Sequence, residues 1–393
     1  MYFQNYTRGF KEEWGAVNER ESKMEQKKTP VRVAHVIGKL AAGGVESVVY
    51  NYYRHIDHSK YQFDFIIDSD SSCEPKKELI DMGAIYYIVP PYQHLFGYIR
   101  ELIKLFKENR YLIVHSNMNT LALFSLFAAW VAKVPVRICH NHSTAAKGET
   151  KRNVFKYLLR PFSKLFATNY CACSKYAAEW LFGKRTVERG GVKIFNNAID
   201  VEKFQYDPTA REEIRRDLSL QDKFVIGHVG RFCFQKNHKF LIDVFYEITK
   251  TDNNAVLLLV GAGELKEQIE NYVLELGIKD KVLFLGIRDD VHRIYQAMDV
   301  FVFPSHYEGL GLAAVEAQCA GLTVIASSRV PLEAKSTNKI IFLDLDAEIM
   351  EWTRAIKNAQ YNNRDAVFDN SLDIKSKGKE LEVFYDRCLE GLK

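Results

Sequence analysis

Apolar runs and polar breaks alternate along this chain, and their spacing predicts strands and helices by turns. The first apolar run, 31–37, reads as a strand, followed by a glycine-containing loop over 38–44 and a helix over 45–55. Strand patterns recur at 63–67, 85–89 and 112–115, with helices over 98–109 and 121–133. A further strand over 136–142 runs into a loop, and 170–174 is a short strand closed by a helix cap. Residues 207–221 read as a linker and a charged helix. The alternation restarts with strands at 224–231, 255–260, 282–286, 300–303 and 323–326. Helices begin at Leu265, Val291 and Leu312 in the same half. After 341–343 the pattern fades, and 375–393 reads as a terminal helix. Strand, loop, helix, strand is the unit of a parallel sheet, so the fold class is α/β. The pattern divides into an extension over 1–30, a Rossmann-like domain over 31–205, a second over 222–355 and a helical segment over 356–393.

Composition narrows the picture. The chain has 393 residues, of which 47% are hydrophobic and 26% charged, enough for two globular cores. A net charge of +4 is small for this size and gives no reason to expect nucleic acid. Seven cysteines show neither a C-x-x-C pair nor zinc spacing, and read as reduced core residues. The longest apolar run, 121–132, is too short to cross a bilayer and suits a buried helix. The N-terminal stretch is polar, without a secretory pattern, and Met24 could serve as a start. The expected location is the cytoplasm, or the inner face of the cell membrane.

Candidate chemistry gathers in the second half. The strand at 300–303 ends at Pro304, and a polar turn with Gly309 and Gly311 precedes a helix. The first amides of such a helix, near Leu310, Gly311 and Leu312, lack partners and favour an anion. Glu308 and Glu316 bracket the turn and can accept hydrogen bonds from hydroxyls. Amides for an anion and carboxylates for hydroxyls describe a sugar nucleotide. Arg231 and Lys236 follow another strand end, with Gly230 giving the backbone room, and can clamp a diphosphate. Gly263, in Gly-Ala-Gly before a helix, is too late in the chain for a dinucleotide fingerprint. Asp68-Ser69-Asp70 reads as a solvated strand end rather than a metal site. His140 and His142 share one face if their strand runs that far. Residues 147–164 carry Lys147, Lys151, Arg152, Lys156, Arg160 and Lys164 among Phe155, Tyr157, Leu158, Leu159 and Phe162. That stretch can rest on anionic lipid, or form a core helix with a solvated basic face.

The pair Glu308 and Glu316, the Gly230-Arg231-Phe232 turn with Lys236-Asn237, and Gly43-Gly44 resemble, in order and spacing, the retaining glycosyltransferases of family four. The resemblance covers nearly all of the chain after residue 30. It departs in detail: Phe195 and Ala198 stand where relatives carry Pro and Gly. It implies the GT-B architecture, two Rossmann-like domains facing a cleft, with the last helix crossing back to the first domain. It also implies hexosyl transfer from a nucleotide diphosphate sugar, a UDP-sugar, to a saccharide or lipid-linked saccharide in capsule or exopolysaccharide synthesis. Arg231, Lys236, Glu308 and His142 are then the catalytic residues, with His140 in reserve for His142. Gly43, Gly44, Gly230, Gly263, Arg288, Gly309, Leu310, Gly311, Leu312 and Glu316 would bind the donor. No metal or other cofactor is expected. A nucleotide-sugar epimerase of the same shape and a non-catalytic binding partner are the alternatives.

Overall fold

The computed structural model describes residues 29–40, 44–142, 150–360, 363–365 and 368–392. The extension before residue 29, Gly43 and Lys147, and the side chains of Lys151 and Arg152, lie outside the described residues.

Two parallel sheets form from apolar runs, with the inner strands buried on both faces and the edge strands partly exposed. The first contains β1 (Val31–Gly38), β2 (Tyr61–Asp68), β3 (Ile85–Val89), β4 (Ile113–Ser116), β5 (Val136–Asn141), β6 (Asn169–Ala172) and β7 (Lys193–Ile194). Its order is β3-β2-β1-β4-β5-β6-β7. The second contains β8 (Phe224–Val229), β9 (Ala255–Val260), β10 (Val282–Phe284), β11 (Val300–Phe303), β12 (Thr323–Ser327) and β13 (Ile340–Leu343), ordered β10-β9-β8-β11-β12-β13. Both orders reverse beside the first strand of their own domain. Such a switch point opens a crevice at the carboxyl ends of the strands, where ligands bind.

Helices cover both faces of each sheet. In the first domain α1 (Gly44–Arg54) packs on one face, and α2 (Leu95–Asn109) and α3 (Ala122–Val131) on the other. The next helix, α4 (Thr150–Leu159), leaves Val154, Phe155, Tyr157 and Leu158 exposed. In the second domain α5 (His238–Thr249) packs on one face, and α6 (Val291–Ala297) and α7 (Leu312–Cys319) on the other. The α8 helix (Ile349–Ala359) lies where the sequence pattern fades. Its buried Trp352, Ile356 and Ala359 recur at helical spacing, a signal hidden by the charged residues between them.

The last helix, α9 (Ile374–Glu390), packs on the first domain beside α1 and buries Ile374, Leu381 and Tyr385 there. Gly378 permits this close approach, because a Cβ there would sit 2.6 Å from the His55 carbonyl oxygen. Glu382 accepts from the Asp57 amide at 2.8 Å, and Asp386 pairs with Lys60 at 2.5 Å. Across the cleft, Leu312 touches the cores of both domains, and Lys76 pairs with Asp289 at 2.9 Å.

One expectation needs correction. Asp68 is buried, not solvated: it is only 3% exposed, and burial together with Asp70 pushes its pKa up to about 6. The β1 and β2 ends fold over it, with Ser72 donating to the Leu40 carbonyl and the Leu40 amide to Ser71. Asp70 fits the expectation better, pairing with Lys39 at the surface.

Candidate active site

The candidate residues collect at the carboxyl ends of the two sheets. In the second domain the turn after β8 contains a short helical segment, Phe234–Lys236. It docks on the turn after β11, where the His306 amide donates to the Gln235 carbonyl at 2.8 Å and the His306 ring stacks on Phe234. This docking delivers Lys236 to Glu308, with Nζ 2.6 Å from Oε1. The two side chains are only 15% and 7% exposed. Gln235 donates to the other Glu308 oxygen at 3.1 Å, and Lys236 Nζ lies 4.5 Å from the Phe303 ring centre. Gly230 gives the lysine its path: a Cβ there would stand 3.2 Å from the Lys236 stem.

Gly311 takes a left-handed conformation (φ 89°) as the cap of α7, which glycine adopts without strain. Its carbonyl accepts from Ala314 and Val315, so the Leu312 and Ala313 amides have no partner within the helix. Gly309 is exposed, and a Cβ there would be 3.5 Å from the His142 carbonyl oxygen, which places this turn against the first domain. The Leu310 side chain is buried in the core, so only its backbone is open to a ligand. One helical turn further, Glu316 accepts from the buried Tyr295 hydroxyl at 2.9 Å. Burial raises the Glu316 pKa to about 7, with the Tyr295 bond and Lys236 opposing the rise.

Other candidates at these strand ends have different partners. The exposed guanidinium of Arg231 pairs with Glu264 at 3.0 Å. Such an exposed pair is weak and readily exchanged for an anion. Gly263 has a structural reason of its own, since a Cβ there would lie 2.4 Å from the Phe232 carbonyl oxygen. The Arg288 side chain is held by Asp290 at 2.7 Å. Gly44, the first residue of α1, is exposed with open space around it.

From the first domain, His142 stands one residue past β5 and is half-buried, while His140 is buried within the strand. Their rings are 4.0 Å apart, so the shared face expected of them is present. Burial holds His142 near 4 and drives His140 well below the usual histidine value, so both are neutral at physiological pH. Sequence reasoning missed the partners: Tyr295 on Glu316, Gln235 on Glu308, and Asn117, which accepts from His142 at 3.0 Å. No short motif marks these residues, because each is set by packing between elements distant in sequence.

Two family models match, Glycosyl transferases group 1 over residues 210–337 and Glycosyltransferase Family 4 over 42–203. EpsF of Bacillus subtilis (strain 168), assigned as a glycosyltransferase, is 34% identical over 84% of this chain and 87% of its own. The chain belongs to the group 1, family 4 glycosyltransferases. A capsular polysaccharide biosynthesis glycosyltransferase, CapM of Staphylococcus aureus, is 30% identical over 60% of this chain and 64% of its own. Among solved structures, HepE of Anabaena in complex with UDP and glucose has a TM-score of 0.73 at 17% identity, covering 91% of this chain and all of that one. That likeness supports the fold, and the GT-B architecture is the one this glycosyltransferase has.

Proposed function

We propose that this glycosyltransferase moves a sugar from a UDP-sugar to a lipid-linked saccharide, with retention at the anomeric carbon, in capsule or exopolysaccharide synthesis. The observation that carries the reading is the Lys236–Glu308 pair beside the open amides of α7. Relatives support it in their own terms: HepE is solved with UDP-glucose, and an Escherichia coli relative, 26% identical over 78% of this chain and 81% of its own, is a UDP-Gal:alpha-D-GlcNAc-diphosphoundecaprenol galactosyltransferase.

In this reading Lys236 and the Leu312 and Ala313 amides take the diphosphate and stabilise charge growing on it, the largest catalytic contribution expected. Arg231 joins them by leaving Glu264. Glu316 accepts from the ribose hydroxyls, and Glu308 from the sugar. His142 meets the sugar from the other domain, so closure of the cleft completes the site. Backbone at Gly44, Gly230, Gly263 and Gly309 lies along the donor, and the main chain at Arg288 lies near the base. With this positive charge in place, turnover is expected to survive EDTA.

The face of α4 supports work at a membrane. Val154, Phe155, Tyr157 and Leu158 are exposed there, as are Phe162 and Leu165 just beyond, near Lys156, Arg160 and Lys164. Among the described residues, no helix is long and apolar enough to cross a membrane. In this reading the face rests on anionic lipid at the inner surface of the cell membrane. The deciding experiment is transfer from a panel of nucleotide sugars, with the product's anomeric configuration read by NMR. An inverted product would refute retention, and conversion of the donor without any acceptor would point to an epimerase. Sedimentation with anionic vesicles tests the membrane reading, which fails if the protein stays in the supernatant.

A further inference from the structure

The turn that delivers Lys236 also presents an aromatic pair for which the proposed chemistry has no use. Phe234 opens the short helical segment, and its ring stacks on His306 with centroids 4.5 Å apart and planes within 17°. The main chain already joins these two turns, through the His306 amide and the Gln235 carbonyl. Phe234 is nevertheless 57% exposed and, among the described residues, belongs to none of the hydrophobic cores. A lone exposed phenylalanine needs no explanation. This one is held flat by a second ring, and it stands at the candidate site.

Its position narrows what could cover it. Phe234 is two residues from Lys236 and His306 two from Glu308, and Gln235 donates to Glu308 between them. The turn that holds His306 runs on to Gly309, which faces the His142 carbonyl of the first domain, so the pair stands at the mouth of the cleft. Lys236 and Glu308 lie deeper, at 15% and 7% exposure. A donor that reaches them fills the depth of the site, and the open ring is left to the molecule that meets the donor sugar from outside. Both rings are neutral, since burial and then the Arg329 charge lower the His306 pKa from its usual 6.5. A flat, uncharged face does not recognise a phosphate. It matches the C–H face of a pyranose, whose positive hydrogens meet the negative face of an aromatic ring.

We propose that Phe234 and His306 form a platform on which a pyranose ring of the acceptor stacks, beside the donor sugar. This rests on the reading of the acceptor as a saccharide, and adds the surface of the second domain that selects it. A ring with several C–H bonds on one face stacks there; an open-chain alcohol does not.

The test uses the full chain with UDP-sugars as donors. The acceptors are octyl glycosides of glucose, galactose and N-acetylglucosamine, with their glycosyl diphosphate counterparts. Phe234→Leu keeps an apolar side chain on the turn and removes the flat face, and Phe234→Trp keeps both. Phe234→Leu should raise the acceptor KM about three- to tenfold, with donor KM and kcat unchanged, while Phe234→Trp matches the wild type. Saturation-transfer NMR with UDP bound should show ring C–H protons of the acceptor against the wild type and not against Phe234→Leu. An unchanged acceptor KM in Phe234→Leu would overturn the platform alone, as would a rise in donor KM instead, which gives the rings to the donor. Equal losses in both variants would refute it too, because a flat ring would then fail to rescue. If the wild type binds UDP yet transfers to none of these saccharides, the saccharide reading of the acceptor falls, and the platform with it.

Discussion

The two domains share a strand order but treat their crevices in opposite ways. The second places charge at its strand ends: Lys236 against Glu308, and Glu316 under Tyr295. The first places neutral rings there, His35, His115, His140 and His142, joined through Asn117 and Tyr385. Charge suits a diphosphate, whose own charge must be matched when it leaves water. Neutral, directional donors and acceptors suit hydroxyls, which carry none. On the proposed function, the same topology would serve two ligand chemistries, with the side chains at the strand ends deciding which.

The comparison can be broken most severely at Lys236. Lys236→Ala should lower turnover by about 100-fold or more, as losing a donor to developing charge does elsewhere. It also strands Glu308, at a stability cost of about 3 kcal/mol by denaturant titration. The double variant with Glu308→Gln should recover stability and not activity; recovery of both would refute the charge role.

Acid should act next on the buried neutral rings of the first domain, and also on His228 and His238 of the second, whose pKa values burial lowers likewise. His115 and His142 are held by burial near 3 and 4, and His35 and His140 well below the usual 6.5. The unfolded chain takes up protons below about pH 6.5 that the native rings refuse, so stability falls as pH falls through that point. The slope is about 1.4 kcal/mol per pH unit for each such ring. Glu316 works the other way: its raised pKa makes the native state bind more protons between 4.5 and about 7, so its contribution falls as pH rises. Urea melts across pH 5 to 8 for wild type and Glu316→Gln separate the two. A Glu316→Gln curve that parallels the wild type would remove Glu316 from the account.

A smaller effect is expected at Tyr295. Tyr295→Phe removes a bond that holds the Glu316 pKa down, so nucleotide affinity at pH 7 should weaken by about fivefold and recover at higher pH. Calorimetric titration with UDP checks both halves. Least of all, Arg231→Ala should change stability by less than about 1 kcal/mol, because its partner Glu264 is also exposed. Any larger loss in UDP affinity than in stability would sharpen Arg231's place at the diphosphate.

Much of the fold was legible in the chain. The strands at 255–260 and 300–303 begin and end where the apolar runs do, since buried parallel strands are apolar on both faces, and the edge strand at 85–89 follows its apolar run although Ile85 and Ile88 are exposed. Of the candidate site, Lys236, Glu308 and Glu316 could be picked out because residue type and spacing are local properties. The α8 helix escaped notice because its apolar stripe is narrow. Asp68 looked solvated because nothing local reveals that two loops fold over it.

By itself, the sequence determined the alternation of strands and helices, the division into two α/β domains and the residue types at the strand ends, because these depend on nearest neighbours and periodicity. Only the tertiary structure decided that Lys236 meets Glu308 while Arg231 turns to Glu264, and that Tyr385 lies against His35 and His115. Those pairings follow from strand register and from one helix returning across some 270 residues, as the separation of Tyr385 from His115 shows. Packing sets both, and no local pattern encodes them.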